Sequence, residues 1–237
     1  MAAAGSGERL GAGGPKAFVP LAGRPMVEWS VEAFRAAPSV RSIVVACPPG
    51  HVHDLGGHDL GVVPGGATRA ESVSNALGAV GTELVAIHDA ARPLVTPELI
   101  EEVVAALAAD SDAAGAIAAA PVTDTIKQVG ERGEAPGGGA LGRVDSLAPD
   151  TGANRPLVVA GTLEREKLWA AQTPQVFRTE ALRDALVAAG ERVEATDEAM
   201  LIESAGGRVL IHPAPAENLK VTMPLDLRLA ELLLAER

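Results

Sequence analysis

The sequence predicts an α/β fold with a mainly parallel, twisted sheet. Short β-branched runs alternate with segments of helical period along most of the chain. The strand-like runs end in clusters of Pro, Gly or Asp, the punctuation of strands that feed loops. A chain of 237 residues, 47% of them hydrophobic, is long enough for one large core.

Pro25 to Ala36 places Met26, Val27, Val31 and Phe34 on one helical face. Ser42 to Cys47 is a strand stopped by Pro48-Pro49, and Gly61-Val62-Val63 is a short strand leading to Pro64-Gly65-Gly66. Thr68 caps a helix carrying Arg69, Ser72, Val73 and Leu77. Leu84 to His88 is a buried strand closing on Asp89-Ala90-Ala91-Arg92-Pro93. Thr96-Pro97-Glu98 supplies a cap, an N1 proline and a first-turn acid for a helix to about Ala109. Ala113 to Ala120 is a tightly packed strand of small residues.

From Pro121 to about Thr162 the pattern changes. Two strand-like ends, Thr125 to Val129 and Leu157 to Val159, enclose a Gly/Pro-rich stretch from Gly130 to Pro156, which predicts an arm leaving the core. Trp169 to Phe177 rejoins the core. Helices follow near Thr179–Ala189 and Thr196–Ala205, then a strand at Arg208–His212 and a last helix from Pro224 to about Ala235. Asp197-Glu198 reads as a capped helix start. The expectation is one domain over 1–237, with about 121–162 as the arm and no internal repeat.

Composition narrows the function. A net charge of −11 argues against nucleic acid as a partner, and an aromatic content of 2% leaves few base-stacking platforms. An anionic ligand must therefore meet a local cluster of Arg and Lys. No apolar run reaches the length of a membrane span, and the start has no charged-then-apolar leader. The single cysteine, Cys47, excludes an intrachain disulfide and lies in an apolar run, as a buried strand thiol would. A cytoplasmic protein is expected. His51, His53 and His58 lack the spacing of a metal site.

The chemistry-bearing stretch is the first sixteen residues, Ala2-Ala3-Ala4-Gly5-Ser6-Gly7-Glu8-Arg9-Leu10 through Gly14-Pro15-Lys16. Glycines at 5, 7, 11 and 13 leave backbone N–H groups uncovered, while Arg9 and Lys16 supply charge, a combination suited to wrapping a polyphosphate. The alternative is a glycine-rich flexible tail. The loop is not a Walker A motif, because Lys16 follows Pro15 and precedes Ala17. Nor is it a dinucleotide fingerprint, because Leu10 stands where the third glycine belongs.

The blocks A-A-G-S-G-E-R-L-G…P-K, H-D-A-A-R-P, P-V-x-D-T-I-K, L-W-A-A-Q-T-P-Q-x-F, T-D-E-A and E-N-L-K-V-T occur in this order. Together they resemble the 2-C-methyl-D-erythritol 4-phosphate cytidylyltransferase family over almost the whole chain. The resemblance implies a Rossmann-like nucleotidyltransferase fold with a protruding β-arm. It also implies attack by a phosphomonoester oxygen on the α-phosphorus of CTP, expelling pyrophosphate. Such a nucleophile is already ionised near neutral pH, so catalysis reduces to alignment and neutralisation of charge.

By this resemblance Arg9, Lys16 and Lys220 would stabilise the pentacoordinate α-phosphate. The backbone of Ala3, Ala4, Gly5 and Gly7, with Gly66, Arg69 and Ser72, would bind the nucleotide. Asp89 and Thr173 would hold the methylerythritol phosphate, joined by Thr125 and Arg165 from an arm that swaps across a homodimer. Arg92 is read as structural, and Ser72 equally suits an ordinary helix-surface serine. Mg²⁺ or another divalent cation would arrive with CTP, because no carboxylate cluster resembles a dedicated cage.

The sequence departs from the family in three places. Ala67 stands where relatives carry a polar residue, and the stretch from Gly130 to Pro156 is longer than a hairpin needs. Relatives also carry an apolar central strand before the glycine loop, whereas here Met1-Ala2-Ala3-Ala4 leaves at most a stub, so a late-assigned start is expected. Two alternatives stay open: a ribitol 5-phosphate cytidylyltransferase, with nearly the same nucleotide loop, and an inactive nucleotide-binding scaffold.

Overall fold

The computed structural model describes residues 1–5, 7, 10, 14–51, 60–130, 157–190 and 196–237. The chain divides into two compact units, Met1–Ala120 with Ala171–Arg237, and Pro121–Ala170. The excursion expected over 121–162 falls inside the second unit, which runs eight residues further. The centre of that excursion, 131–156, lies outside the described residues.

In the first unit, a small antiparallel pair, β1 (Pro20–Leu21) and β2 (Arg24–Pro25), precedes α1 (Met26–Ala36). Then come β3 (Ile43–Cys47), β4 (Leu60–Pro64), α2 (Arg69–Leu77), β5 (Leu84–Ile87), α3 (Pro97–Ala108) and β6 (Gly115–Pro121). The second unit holds β7 (Lys127–Gly130) and β8 (Val158–Thr162). The chain continues with β9 (Trp169–Arg178), α4 (Thr179–Ala189), α5 (Glu198–Ser204), β10 (Val209–Pro213) and α6 (Pro224–Ala235).

The main strands run in the order β10-β6-β9-β5, and β3 pairs with β4. Ala2 joins these two parts through parallel bridges to Ala46 and to Asp89. The expected N-terminal stub is thus a single paired residue. β3–β4, β6–β10 and the Ala2 bridges are parallel, but β9 runs antiparallel to β5, so the sheet is mixed. The physical reason lies in the connection. β9 re-enters from the second unit without a crossover helix, and only parallel neighbours require such a crossover.

Helices cover both faces of the sheet. Val27, Val31 and Phe34 of α1 pack with Leu99, Ile100, Val103 and Leu107 of α3 in one buried cluster. Val73 and Leu77 of α2 pack with Leu182 of α4 and Ile202 of α5 in another. β5 shows the period of two that such a sheet needs. Leu84 and Ala86 pack against the first cluster, and Val85 and Ile87 belong to the second.

Helix starts follow the predicted chemistry. The Thr68 hydroxyl accepts from the Glu71 N–H at 3.1 Å while Glu71 reaches back to the Thr68 N–H at 3.3 Å, a complete capping box. Thr96 accepts from the Leu99 N–H at 3.2 Å, with Pro97 at the first helical position.

The second unit is built on the antiparallel β7–β8 pair, with a bulge at Gln128/Val129. The Lys127 ammonium donates to Thr162 at 2.7 Å, and the Val122 N–H donates to the Leu168 carbonyl at 3.0 Å. Among the described residues, no helix is long and apolar enough to cross a membrane.

Candidate active site

A cavity of about 660 Å³ opens beside the residues that follow β4, β5 and the Ala2 bridge. This is where open α/β sheets place their ligand contacts. Three backbone segments build it. Ala2 donates its N–H to the His88 carbonyl at 2.8 Å and accepts from the Ala90 N–H at 3.1 Å, and Ala3 donates to the Ala46 carbonyl at 3.0 Å. The glycine loop therefore starts from a fixed point between two strands. It returns where the Lys16 N–H donates to the Gly5 carbonyl at 3.1 Å. Gly7 makes the return possible: its φ is +76°, and a Cβ there would sit 2.8 Å from the Gly14 carbonyl oxygen.

The second segment is the turn before α2. The Ser72 hydroxyl donates to the Thr68 carbonyl at 2.9 Å and accepts from the Gly66 N–H at 3.0 Å. The Ala67 N–H donates to the Glu71 carboxylate at 2.6 Å. Ser72 is buried and holds the turn together; it is not a helix-surface serine. The third segment carries Lys220. The Val221 N–H donates to the Ala91 carbonyl at 2.8 Å, and the Arg92 guanidinium donates to the Asn218 carbonyl at 2.7 Å. Arg92 is buried and ties this segment to the strand end after β5, the structural role read from sequence.

Lys16, Arg69, Asp89 and Lys220 all line the cavity, as do Ala3, Ala4, Gly5, Gly7, Gly66 and Ser72. Arg9, expected at the same phosphate, lies outside the described residues. Thr173 does not face the cavity. It is buried behind Asp89, where its hydroxyl accepts from the Asp89 N–H at 3.1 Å and lies 3.0 Å from His88 Nδ1. Thr125 and Arg165 belong to the second unit, both exposed, with the Arg165 guanidinium donating to the Thr123 carbonyl at 3.0 Å.

The charges form one chain. Arg69 pairs with Asp89 through Nη1 and Oδ1, and Lys220 Nζ stands 2.6 Å from Asp89 Oδ2. On its other edge Arg69 grips Glu198 with two bonds, Nε to Oε1 at 3.0 Å and Nη2 to Oε2 at 2.7 Å. Burial works to raise the Asp89 pKa, but the Arg69 and Lys220 charges outweigh it and hold the carboxyl well below the usual carboxylate range. Burial opposes the charge on Arg69 too, and Asp89 with Glu198 overcomes it, raising that pKa.

Burial pushes the His88 pKa down to about 3, so the ring is neutral at neutral pH. Its Nε2 lies 3.2 Å from the Arg92 carbonyl, which can only accept. Nε2 therefore carries the proton, and Nδ1 accepts from Thr173. This relay fixes the backbone of Asp89 from behind.

Sequence reasoning missed Glu198, taken for a helix-start acid, and the glutamines Gln172 and Gln175 that flank Thr173-Pro174. The latter had a visible signal, four non-aliphatic residues in the middle of a strand between Ala170-Ala171 and Val176-Phe177. Among the described residues, no group of three or more His, Cys, Asp or Glu side chains could hold a metal ion.

The doubly covered sheet and the cationic cavity at its strand ends define a nucleotide-transfer class of fold and site. The sequence profile of the 2-C-methyl-D-erythritol 4-phosphate cytidylyltransferase (IspD) family matches residues 1–136 and 148–236, and the chain belongs to that family. A Frankia casuarinae protein of that name is 43% identical over 98% of this chain and 79% of its own length. A Streptomyces avermitilis protein of the same name is 41% identical over 99% of this chain and 90% of its own. The crystal structure of the cytidylyltransferase of that name from Thermus thermophilus is similar with a TM-score of 0.72 and 34% identity, over 98% of this chain and 96% of that one.

Proposed function

We propose that this chain transfers the cytidylyl group of CTP to 2-C-methyl-D-erythritol 4-phosphate. The acceptor's phosphomonoester oxygen bonds to the α-phosphorus while the bond to the bridging oxygen breaks, so the products are the cytidine diphosphate ester and pyrophosphate. The observation that carries this reading is the convergence of Lys16, Arg69 and Lys220 on one cavity at the strand ends. Those cations, with Arg9, meet the triphosphate and the negative charge that builds on the α-phosphate. Asp89 supports the acceptor side through the cations it holds, and Thr173 supports Asp89.

The only carboxylate that lines the described cavity, Asp89, has both oxygens engaged by cations. A divalent cation would therefore be held chiefly by triphosphate oxygens, where it neutralises the leaving pyrophosphate. Thr125 and Arg165 would reach an acceptor from the arm of a second copy. The exposed apolar side chains of the second unit, among them Val129, Leu157, Val159 and Trp169, favour such a homodimer. We place the enzyme in the cytoplasm, with the arm as an appendage of a single domain.

Pyrophosphate release from CTP and Mg²⁺ tests the reading, with 2-C-methyl-D-erythritol 4-phosphate and D-ribitol 5-phosphate compared. Release with the first acceptor is expected. Release with the second alone would reassign the acceptor, and silence with both from a folded sample would overturn the activity.

A further inference from the structure

Glu198 is 2% exposed and does not line the cavity; among the described residues it meets the site through Arg69. A carboxylate so buried is tolerated only when paired with good geometry, and the two-bond grip on Arg69 supplies that. The backbone that carries it is braced. Asp197 accepts from the Met200 N–H at 3.0 Å and from Gln175 Nε2 at 3.0 Å, while Gln175 Oε1 accepts from the Ala199 N–H at 3.3 Å. Gln175 is buried within β9, so the start of α5 is fastened to the sheet.

The consequence falls on Asp89. With the Nε and Nη2 edge of Arg69 held by Glu198, only Nη1 reaches Asp89 and occupies Oδ1, which leaves Oδ2 for Lys220. Two cations and two carboxylates thus alternate as Glu198, Arg69, Asp89 and Lys220. We infer that Glu198 is a positioning residue for the transfer site, setting Arg69 so that Asp89 is shared with Lys220 and both cations face the phosphates. This rests on the reading of the cavity given above. Without Glu198 the whole guanidinium edge is free to turn onto Asp89 and displace Lys220.

The test uses Glu198→Gln, Glu198→Asp, Arg69→Gln and the double variant Arg69→Gln/Glu198→Gln. Steady-state pyrophosphate release is measured well below the melting temperature, per folded molecule. Glu198→Gln should lower kcat/KM for CTP by about 30-fold or more, and Glu198→Asp should recover part of that loss. The double variant should be no worse than Arg69→Gln alone, because Glu198 acts through Arg69. A mere staple between α2 and α5 would lower the melting temperature and leave kinetics per folded molecule unmoved. Should Glu198→Gln fail to fold, Glu198→Asp carries the test, with a several-fold loss that vanishes in the Arg69→Gln background. Kinetics within threefold of the parent, or losses that multiply in the double variant, would overturn the inference. A parent without turnover would sink the reading of the cavity and this inference with it; an active parent with an indifferent Glu198 would sink this inference alone.

Discussion

Two cavities flank the Ala2 bridge between β3 and β5, and they are built on opposite principles. The one beside the strand ends, about 660 Å³, is lined by Lys16, Arg69, Asp89 and Lys220. The other, about 370 Å³, is lined largely by apolar side chains, among them Phe34, Val44, Leu77, Ala86 and Val104. In the first, Arg69, Asp89 and Lys220 are each held by an opposite charge, and the backbone is pinned by Ala2 and Ala3. In the second, Met1 lies against β3, its ammonium donating to the Val44 carbonyl at 2.7 Å and its carbonyl accepting from the Ala46 N–H at 3.0 Å. Charges must be paired before they can be buried, so a polar site arrives already ordered. An apolar void forfeits only dispersion contacts and can persist as a stability deficit.

That contrast can be broken or sharpened by mutation. The largest effect is expected in the polar cavity. Lys16→Ala should lower turnover by about 100-fold to 1,000-fold, the range for removing one preorganised contact to developing charge, with the melting temperature nearly unchanged. Pyrophosphate release and thermal denaturation on the same sample check both halves of this statement.

On the tightly packed side of the sheet, a Cβ at Gly115 would lie 2.4 Å from Phe177 Cδ1. Gly115→Ala should cost about 1–3 kcal/mol through overpacking, measured by denaturant unfolding. A neutral result would mean that the β6–β9 half is as yielding as the other.

Stability should also fall on acidification. The folded-state pKa of His88, lowered to about 3, lies below its ordinary value because of burial. The unfolded chain therefore binds more protons at His88 between about pH 6.5 and 3. Stability from this group is present above that window and is lost as the pH drops through it. The slope approaches ~1.4 kcal/mol per pH unit for one proton. His88→Gln should flatten the acidic part of a melting-temperature profile, and an unchanged slope would mean that His88 is not buried neutral.

The smallest effect belongs to the apolar cavity. Ala86→Val adds volume to a strand position that lines it and should raise stability by roughly 0.5–1.5 kcal/mol. Denaturant unfolding checks it, and a destabilised variant would mean that the space is not available.

The residues explain which parts of this structure were legible in the sequence. Thr68 with Glu71, and Thr96 with Pro97, announce their helices because capping is local chemistry. Lys16, Asp89 and Lys220 were singled out because each sits in a block that resembles the family, Arg69 because it opens the helix that Thr68 caps, and all four line the cavity. The antiparallel course of β9 was not legible, since strand direction depends on a connection through the second unit and not on any local pattern. Glu198 was hidden because an acid at a helix start looks the same whether it faces solvent or a guanidinium contributed by a helix over a hundred residues earlier. Thr173 was expected at the acceptor beside Asp89, but the structure turns its hydroxyl to His88 and the Asp89 backbone.

The most direct test of the contrast sets one variant from each cavity side by side, Lys220→Ala and Ala86→Val, in a single assay of pyrophosphate release from CTP with 2-C-methyl-D-erythritol 4-phosphate. Rates are taken per folded molecule. Lys220→Ala should fall to near background while Ala86→Val keeps the parent rate. Comparable losses in both, or retained turnover in Lys220→Ala, would contradict the assignment of chemistry to the polar cavity.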